Sequence, residues 1–235
     1  MTFKDSKNAI AVDFAGVFYY DYDHNDCINN SHNDYSQAPE VTHGPGSMKV
    51  SKSKAADNRD AILQAAANQM RGRGLDQTSI ADVARASGLT HGALYNHFGS
   101  KEALTTEAME CAFAQCLREF TGLSAPQFLK RYLSTEHRDH PEQGCPAGAL
   151  VSEIPRQPAE LQSAFRGGVD RFVALAGKSL EAVGAEHGHD RAVFMFAAMV
   201  GGLALSRALR DVDGSGSADI LRAVKKQLGH MVESG

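Results

Sequence analysis

One short stretch places two histidines, two carboxylates and a cysteine within ten residues. In His137-Arg138-Asp139-His140-Pro141-Glu142-Gln143-Gly144-Cys145-Pro146, a His-x-x-His pair precedes a cysteine. Imidazole and thiolate are zinc ligands, but the run lacks a matching fourth ligand, so no metal is expected. Cys145 with His140 has the composition of a nucleophile and its base. No glycine-rich oxyanion loop and no orienting acid accompany them, so neither a catalytic residue nor a cofactor is expected. The thiol remains. It lies between Gly144 and Pro146 at a loop-to-helix junction, where a helix N-terminus favours thiolate and hence reaction with oxidants or electrophiles. A free cysteine is also commonly a small, inert packing residue, and that alternative stays open.

A second stretch, Thr78 to Lys101, offers a different chemistry. Thr90, His91, Gly92 and Ala93 are followed by Tyr95, Asn96 and His97, then Lys101. Donors of hydrogen bonds stand among residues small enough to let a backbone approach a partner. The elements that must position them are short helices. Ser79-x-x-Asp82 resembles a capping box and Gly88 breaks the helix it opens. Thr90 caps the next, which runs through Asn96, and Gly99-Ser100 stops that one and caps a long helix from Lys101 to about Phe120. Two short helices meeting at a tight glycine turn form a helix-turn-helix, whose second helix enters the DNA major groove. Ile80, Val83 and Ala84 pack inward from its first helix, and Leu89, Leu94 and Phe98 anchor its second.

The same residues carry a family resemblance. Ile62-x-x-Ala65-Ala66, Thr78-Ser79-Ile80-x-x-Val83-Ala84-x-x-Ser87-Gly88-Leu89-Thr90 and Gly92-Ala93-Leu94-Tyr95-Asn96-His97-Phe98-Gly99-Ser100-Lys101-Glu102-Ala103-Leu104 resemble the TetR family of one-component bacterial transcription regulators. Gly144-Cys145-Pro146 looks like a segment found in a subset of that family. The resemblance implies phosphate contacts from Thr78, Tyr95, His97 and Lys101. It places Thr90, His91, Gly92 and Ala93 against bases. Asn96 is counted with the DNA-binding residues, although the family often has Tyr or His there. His91 departs from the family's frequent Lys or Ser, so sequence preference does not carry over.

The resemblance also implies a ligand-binding and dimerising C-terminal domain. Its pocket is expected among Phe113, Leu117, Cys145, Phe165, Arg166, Val169, Phe172, Phe194 and Met195, with Arg166 meeting an acidic group. The homodimer is expected through the last two helices, with Leu203 in the interface. The implied partners are double-stranded operator DNA and a small-molecule effector, and no membrane. The implied role is a ligand-responsive DNA-binding regulator, a repressor rather than an enzyme. The alternative is a helical small-molecule-binding or enzymatic protein with a vestigial DNA-binding head.

Composition bounds these readings. The chain of 235 residues has no Trp and only 7 % aromatics, which disfavours a β-sandwich or barrel. Helical periodicity continues at about 125–137, 146–153, 159–183, 190–210 and 217–233, so the expected class is all-α. Its parts are a three-helix DNA-binding head at 48–100 and a helical body at 101–235. Residues 48–101 carry a net charge of +4 while the whole chain carries −4. A basic head on an acidic body suits DNA, whereas coating nucleic acid by charge alone is excluded. Residues 1–47 carry −5 and are expected to be a disordered extension, or a non-native or misassigned start with Met48 as the natural one. The apolar run Ala192 to Leu205 reads as a buried helix, no signal peptide is seen, and a cytoplasmic, thiol-reduced setting is expected.

Overall fold

The structure is a computed structural model, and it describes residues 11–12, 18–19, 52–182 and 188–233. The chain divides into two compact units, Met1–Ala56 and Asp57–Gly235. In the first, β1 (Ala11–Val12) pairs antiparallel with β2 (Phe18–Tyr19), with Ala11 opposite Tyr19 and Val12 opposite Phe18. Both strands fall within 9–20, the one segment of the extension apolar enough to form an element. The expected disorder of the rest of 1–47 lies outside the described residues.

Ten helices follow among the described residues: α1 (Lys52–Arg73), α2 (Ile80–Ser87), α3 (His91–Phe98), α4 (Lys101–Phe120), α5 (Ala125–Tyr132), α6 (Thr135–Asp139), α7 (Pro146–Leu150), α8 (Ala159–Glu181), α9 (Gly188–Leu209) and α10 (Gly214–Glu233). Their ends have local causes. Ser79 caps α2 by accepting from the Asp82 N–H at 3.1 Å, and returns its own hydroxyl proton to the Asp82 carboxylate at 2.8 Å. Gly88 ends α2 at φ 71, a left-handed conformation that only glycine adopts without strain. The Leu89 N–H then bonds back to the Ala84 carbonyl at 3.0 Å. Thr90 and Ser100 cap α3 and α4 through the N–H groups of Ala93 and Ala103.

Two expectations need correction. The helix expected at 125–137 breaks at Leu133, and Ser134 caps a separate α6. The helix expected at 217–233 starts earlier, with Gly214-Ser215-Gly216 as the first turn of α10. Asp213 makes this helical: its carboxylate accepts from the Gly216 N–H and the Ser215 hydroxyl, both at 2.9 Å.

The body is built on one aromatic cluster. Phe120, Phe128, Tyr132, Phe172 and Phe196 lie within 4.8–6.3 Å of a neighbouring ring centroid, from α4, α5, α8 and α9. Phe113 and Phe165 pair separately, edge-on at 5.5 Å, between α4 and α8. Helix α9 packs against α8 on one side and α10 on the other. It is long and apolar enough by composition to cross a membrane. Its inner face is Ala192, Met195, Phe196, Met199 and Leu203. Between α9 and α10, Ser206 and Ser217 exchange buried hydrogen bonds of 2.6 and 2.8 Å.

Candidate nucleic-acid interface and body cavity

Helix α3 divides cleanly. Leu94 and Phe98 are buried, four residues apart on one face, and anchor it to the head. His91, Gly92, Tyr95 and Asn96 occupy the exposed face, and Tyr95 is 45 % exposed. No carboxylate stands on this helix. Nothing lies within 4 Å of where a side chain at Gly92 would begin, so the backbone there is open to a partner. As first residues of the helix, His91 and Gly92 have N–H groups with no acceptor one turn earlier, which suits an anion. The His91 and Tyr95 ring centroids lie 5.2 Å apart, with the ring planes tilted by 53°. Lys101 is exposed at the start of α4.

Two of the expected contacts are placed differently from the rest. Thr78 is buried, and its hydroxyl donates to the Gly74 carbonyl at 2.8 Å, so its side chain closes the corner between α1 and α2. His97 is half-buried. Burial, with a smaller contribution from the Arg59 charge, lowers its pKa, which favours the neutral imidazole. No local sequence pattern distinguishes Arg59 from the other basic residues of α1. Arg59 pairs with Glu107 and lies 4.7 Å from the centroid of the Phe98 ring, bracing α3 and α4 against α1.

The body holds a cavity of about 510 Å³ between α4, α5 and α6. Phe120, Leu123 and Cys116 form its apolar wall, and Lys130, Arg131, Glu119, His137, His140 and Gly144 its polar wall. None of the nine residues expected to line a pocket borders it. Phe113, Phe165, Phe172 and Met195 are buried in packing between helices. Arg166 is exposed and pairs with Asp170 one turn away, and Phe194 is 60 % exposed. Helix periodicity marks an aromatic as inward-facing and does not say whether space is left beside it. Leu117 and Val169 are half-buried, and Cys145 is buried one residue from the cavity wall.

The His137–Cys145 stretch is a hydrogen-bonded unit. His137 Nδ1–H donates to the Tyr132 carbonyl and Nε2 accepts from the Cys145 N–H, both at 2.8 Å. Burial chiefly pushes the His137 pKa down to about 4, so the ring is neutral and both nitrogens are engaged. Among the described residues no three ligands converge on a metal. The Gly144 carbonyl, on the other side of the same peptide, accepts from Arg71 Nη1 at 3.2 Å. Arg71 is almost wholly buried at the end of α1. It also donates to Asn68 and Gln115 at 2.8 Å and to the Ala67 carbonyl at 3.1 Å. The sequence presents it as an ordinary basic residue in a last helical turn, and no local pattern distinguishes it.

The residues at 62–108 match the family model described as bacterial regulatory proteins, tetR family. Over 57 residues the chain is 42 % identical to the HTH-type transcriptional repressor KstR2 of Mycolicibacterium smegmatis, covering 24 % of this chain and 28 % of that one. Over 109 residues it is 32 % identical to the HTH-type transcriptional repressor Rv3405c of Mycobacterium tuberculosis, covering 45 % and 57 %. The aligned regions thus span between about a quarter and just over half of these relatives' lengths. A TetR transcriptional regulator from Legionella pneumophila has a similar fold, with a TM-score of 0.60 at 21 % identity, covering 78 % of this chain and 99 % of the other.

Proposed function

We infer, from the match of its N-terminal helices to the tetR family of bacterial regulatory proteins, that the chain is a ligand-responsive, sequence-specific DNA-binding regulator of that family. It acts in the cytoplasm as a repressor, released from its operator by a small molecule, and not as an enzyme. The carrying observation is the exposed face of α3, where His91, Gly92, Tyr95 and Asn96 stand free of carboxylates on a helix capped at both ends. Bases are read by Thr90, His91, Gly92, Ala93 and Asn96. Tyr95, His97 and Lys101 hold phosphates, and Thr78 positions α2.

The test is a specific gel shift on the DNA upstream of the protein's own gene, repeated across salt concentrations. Lys101→Ala should weaken binding on all sequences alike and flatten the slope of log affinity against log salt by about one. An unchanged slope would remove Lys101 from the phosphate contacts. Absence of any sequence-specific shift would favour a vestigial head.

The operator is a pseudo-palindrome read by a homodimer, with half-sites roughly 34–36 Å apart. The outer face of α9 supports the pairing. Val193, Phe194, Ala197 and Leu205 are exposed along it, and Phe194 and Leu205 are each 60 % exposed. Gly201 stands open on that face, while Gly202 faces inward against Val224 of α10. The outer residues of α10, among them Asp219, Arg222, Lys226 and His230, are polar, so α9 carries the apolar contact. Leu203, expected in the interface, is fully buried within its own protomer beside Gly148, and a charge there would unfold the body. The double substitution Phe194→Glu with Leu205→Glu should convert the dimer to a folded monomer in light scattering, and operator binding should be lost with it. A variant that stays dimeric would place the interface elsewhere.

The effector occupies the cavity between α4, α5 and α6. It acts on the heads because the Gly144 carbonyl at the cavity wall accepts a hydrogen bond from Arg71 of α1. By linkage, operator DNA must weaken effector binding by the same factor as effector weakens operator binding.

A further inference from the structure

Three buried cysteines, Cys111, Cys116 and Cys145, lie near enough to Arg71 to interact with its charge. Two of them face each other. Cys116 comes from the last turns of α4 and Cys145 from the residue before α7, and their thiols are within hydrogen-bonding reach. Cys116 borders the cavity, and so does Gly144, the residue before Cys145. A small oxidant entering the cavity therefore reaches Cys116 at the wall, with Cys145 one residue behind it. Cys111, by contrast, accepts from Gln115 Nε2 at 3.1 Å and does not border the cavity.

The electrostatics fit a reactive pair. Burial raises the Cys145 thiol. The Cys116 and Tyr132 side chains and the Gly148 and Ala147 N–H groups facing its sulfur outweigh burial and hold it at about 7. Cys116, which supplies the proton, is raised well above the ordinary thiol value. Helix α7 has only five residues, so the lowering comes from these neighbours and not from a helix dipole.

We propose that Cys116 and Cys145 are a peroxide-sensitive dithiol that closes to a reversible disulfide beside the cavity. Hydrogen peroxide breaks its O–O bond on one sulfur of the pair. One oxygen stays as a sulfenic acid, and the other leaves as water with the thiol proton. The second thiol then displaces the sulfenic oxygen as a second water, forming the S–S bond. Two thiols and one peroxide become one disulfide and two waters, and a dithiol reductant reverses the step.

The bond also has a mechanical consequence. Its sulfurs must close to about 2.0 Å, which pulls Cys145 toward α4. The Gly144–Cys145 peptide is the one gripped by Arg71 at its carbonyl and by His137 at its N–H. Oxidation therefore loosens the Arg71 anchorage at the C-terminal end of α1. The pair forms whether or not the head binds DNA.

The experiment treats the full reduced chain with hydrogen peroxide, blocks remaining thiols, and maps peptides by mass spectrometry without reduction. A Cys116–Cys145 linked peptide, lighter by about 2 Da than its reduced parts, is expected. It should vanish in Cys116→Ser and in Cys145→Ala, persist in Cys111→Ser, and be reversed by dithiothreitol. Amide hydrogen exchange over 67–73 should rise on oxidation of the wild type and not of Cys116→Ser. A linkage through Cys27 or Cys111, or sulfinic acid without any 116–145 linkage, overturns the proposal. Because the wild type itself carries the decisive readout, a variant that fails to fold does not rescue it.

Discussion

Gly168→Ala should destabilise the protein by about 3 kcal/mol, while Gly167→Ala should stabilise it by roughly 1 kcal/mol. The two glycines are neighbours in α8, and each would take a side chain with good helix propensity. They differ only in what lies beside them. A Cβ at Gly168 would stand 2.1 Å from Cδ2 and 2.3 Å from Cγ of Phe113 on α4. Cγ is fixed by Cα and Cβ, so rotating the ring does not clear it. The Phe113 side chain is fully buried and held edge-on against Phe165, which leaves it no alternative rotamer space. Helices α4 and α8 would have to separate. At Gly167 no atom lies within 4 Å and the position is exposed, so the gain is the lost flexibility of the unfolded chain. Thermal or urea unfolding of the two variants decides the matter. If Gly168→Ala is neutral, the close crossing of α4 and α8 is wrong. In a Phe113→Ala background Gly168→Ala should cost little, since Cγ and the ring that the new Cβ would meet are gone.

That pair of glycines illustrates where the sequence stops being readable. In the head, each structural decision is local. Ser79, Thr90 and Ser100 cap the helix that follows them, Gly88 takes the turn, and Leu94 and Phe98 mark the inner face by their spacing. The exposed face of α3 follows by subtraction. In the body the decisive facts join residues far apart. Nothing near Gly168 announces Phe113, and nothing near Arg71 announces the Gly144 carbonyl, 73 residues later. The residues expected to line a pocket include the inward aromatics Phe113, Phe165 and Phe172. Those aromatics fill the core, and the space lies where α5 ends early and α6 turns away, lined by Lys130, Arg131 and His140. The break at Leu133–Ser134 is a capping event, and Ser134 before Thr135-Glu136-His137 was a local signal for it. The outward face of α9 was hidden for a different reason. That helix is apolar nearly all round, so periodicity gives no phase, and only the packing of α8 and α10 shows that Leu203 is inside and Leu205 outside.

His137→Phe should cost about 3 kcal/mol at neutral pH, with the cost shrinking toward zero near pH 4. The substitution keeps a ring among Phe120 and Tyr132 but removes both nitrogens. The Tyr132 carbonyl and the Cys145 N–H are then buried without partners, and each such loss is worth roughly 1–3 kcal/mol. The pH dependence has a definite sign. In the unfolded chain His137 takes a proton near 6.5, whereas in the fold burial holds it neutral down to about 4. Below 6.5 the unfolded state binds a proton that the native state refuses, so the wild type loses stability as pH falls. The loss ends near 4, after roughly 3 kcal/mol for the shift between those two values. Phenylalanine does not titrate and the variant lacks this loss, so its stability curve should run flatter and meet that of the wild type at the acid end. Urea unfolding of both proteins at several pH values from 7 to 4 measures the gap directly. A gap that stays constant over that range would mean that His137 is not held neutral. The Gly144–Cys145 peptide would then lack the fixed imidazole acceptor that, with Arg71 opposite, ties the cavity wall to the first helix of the head.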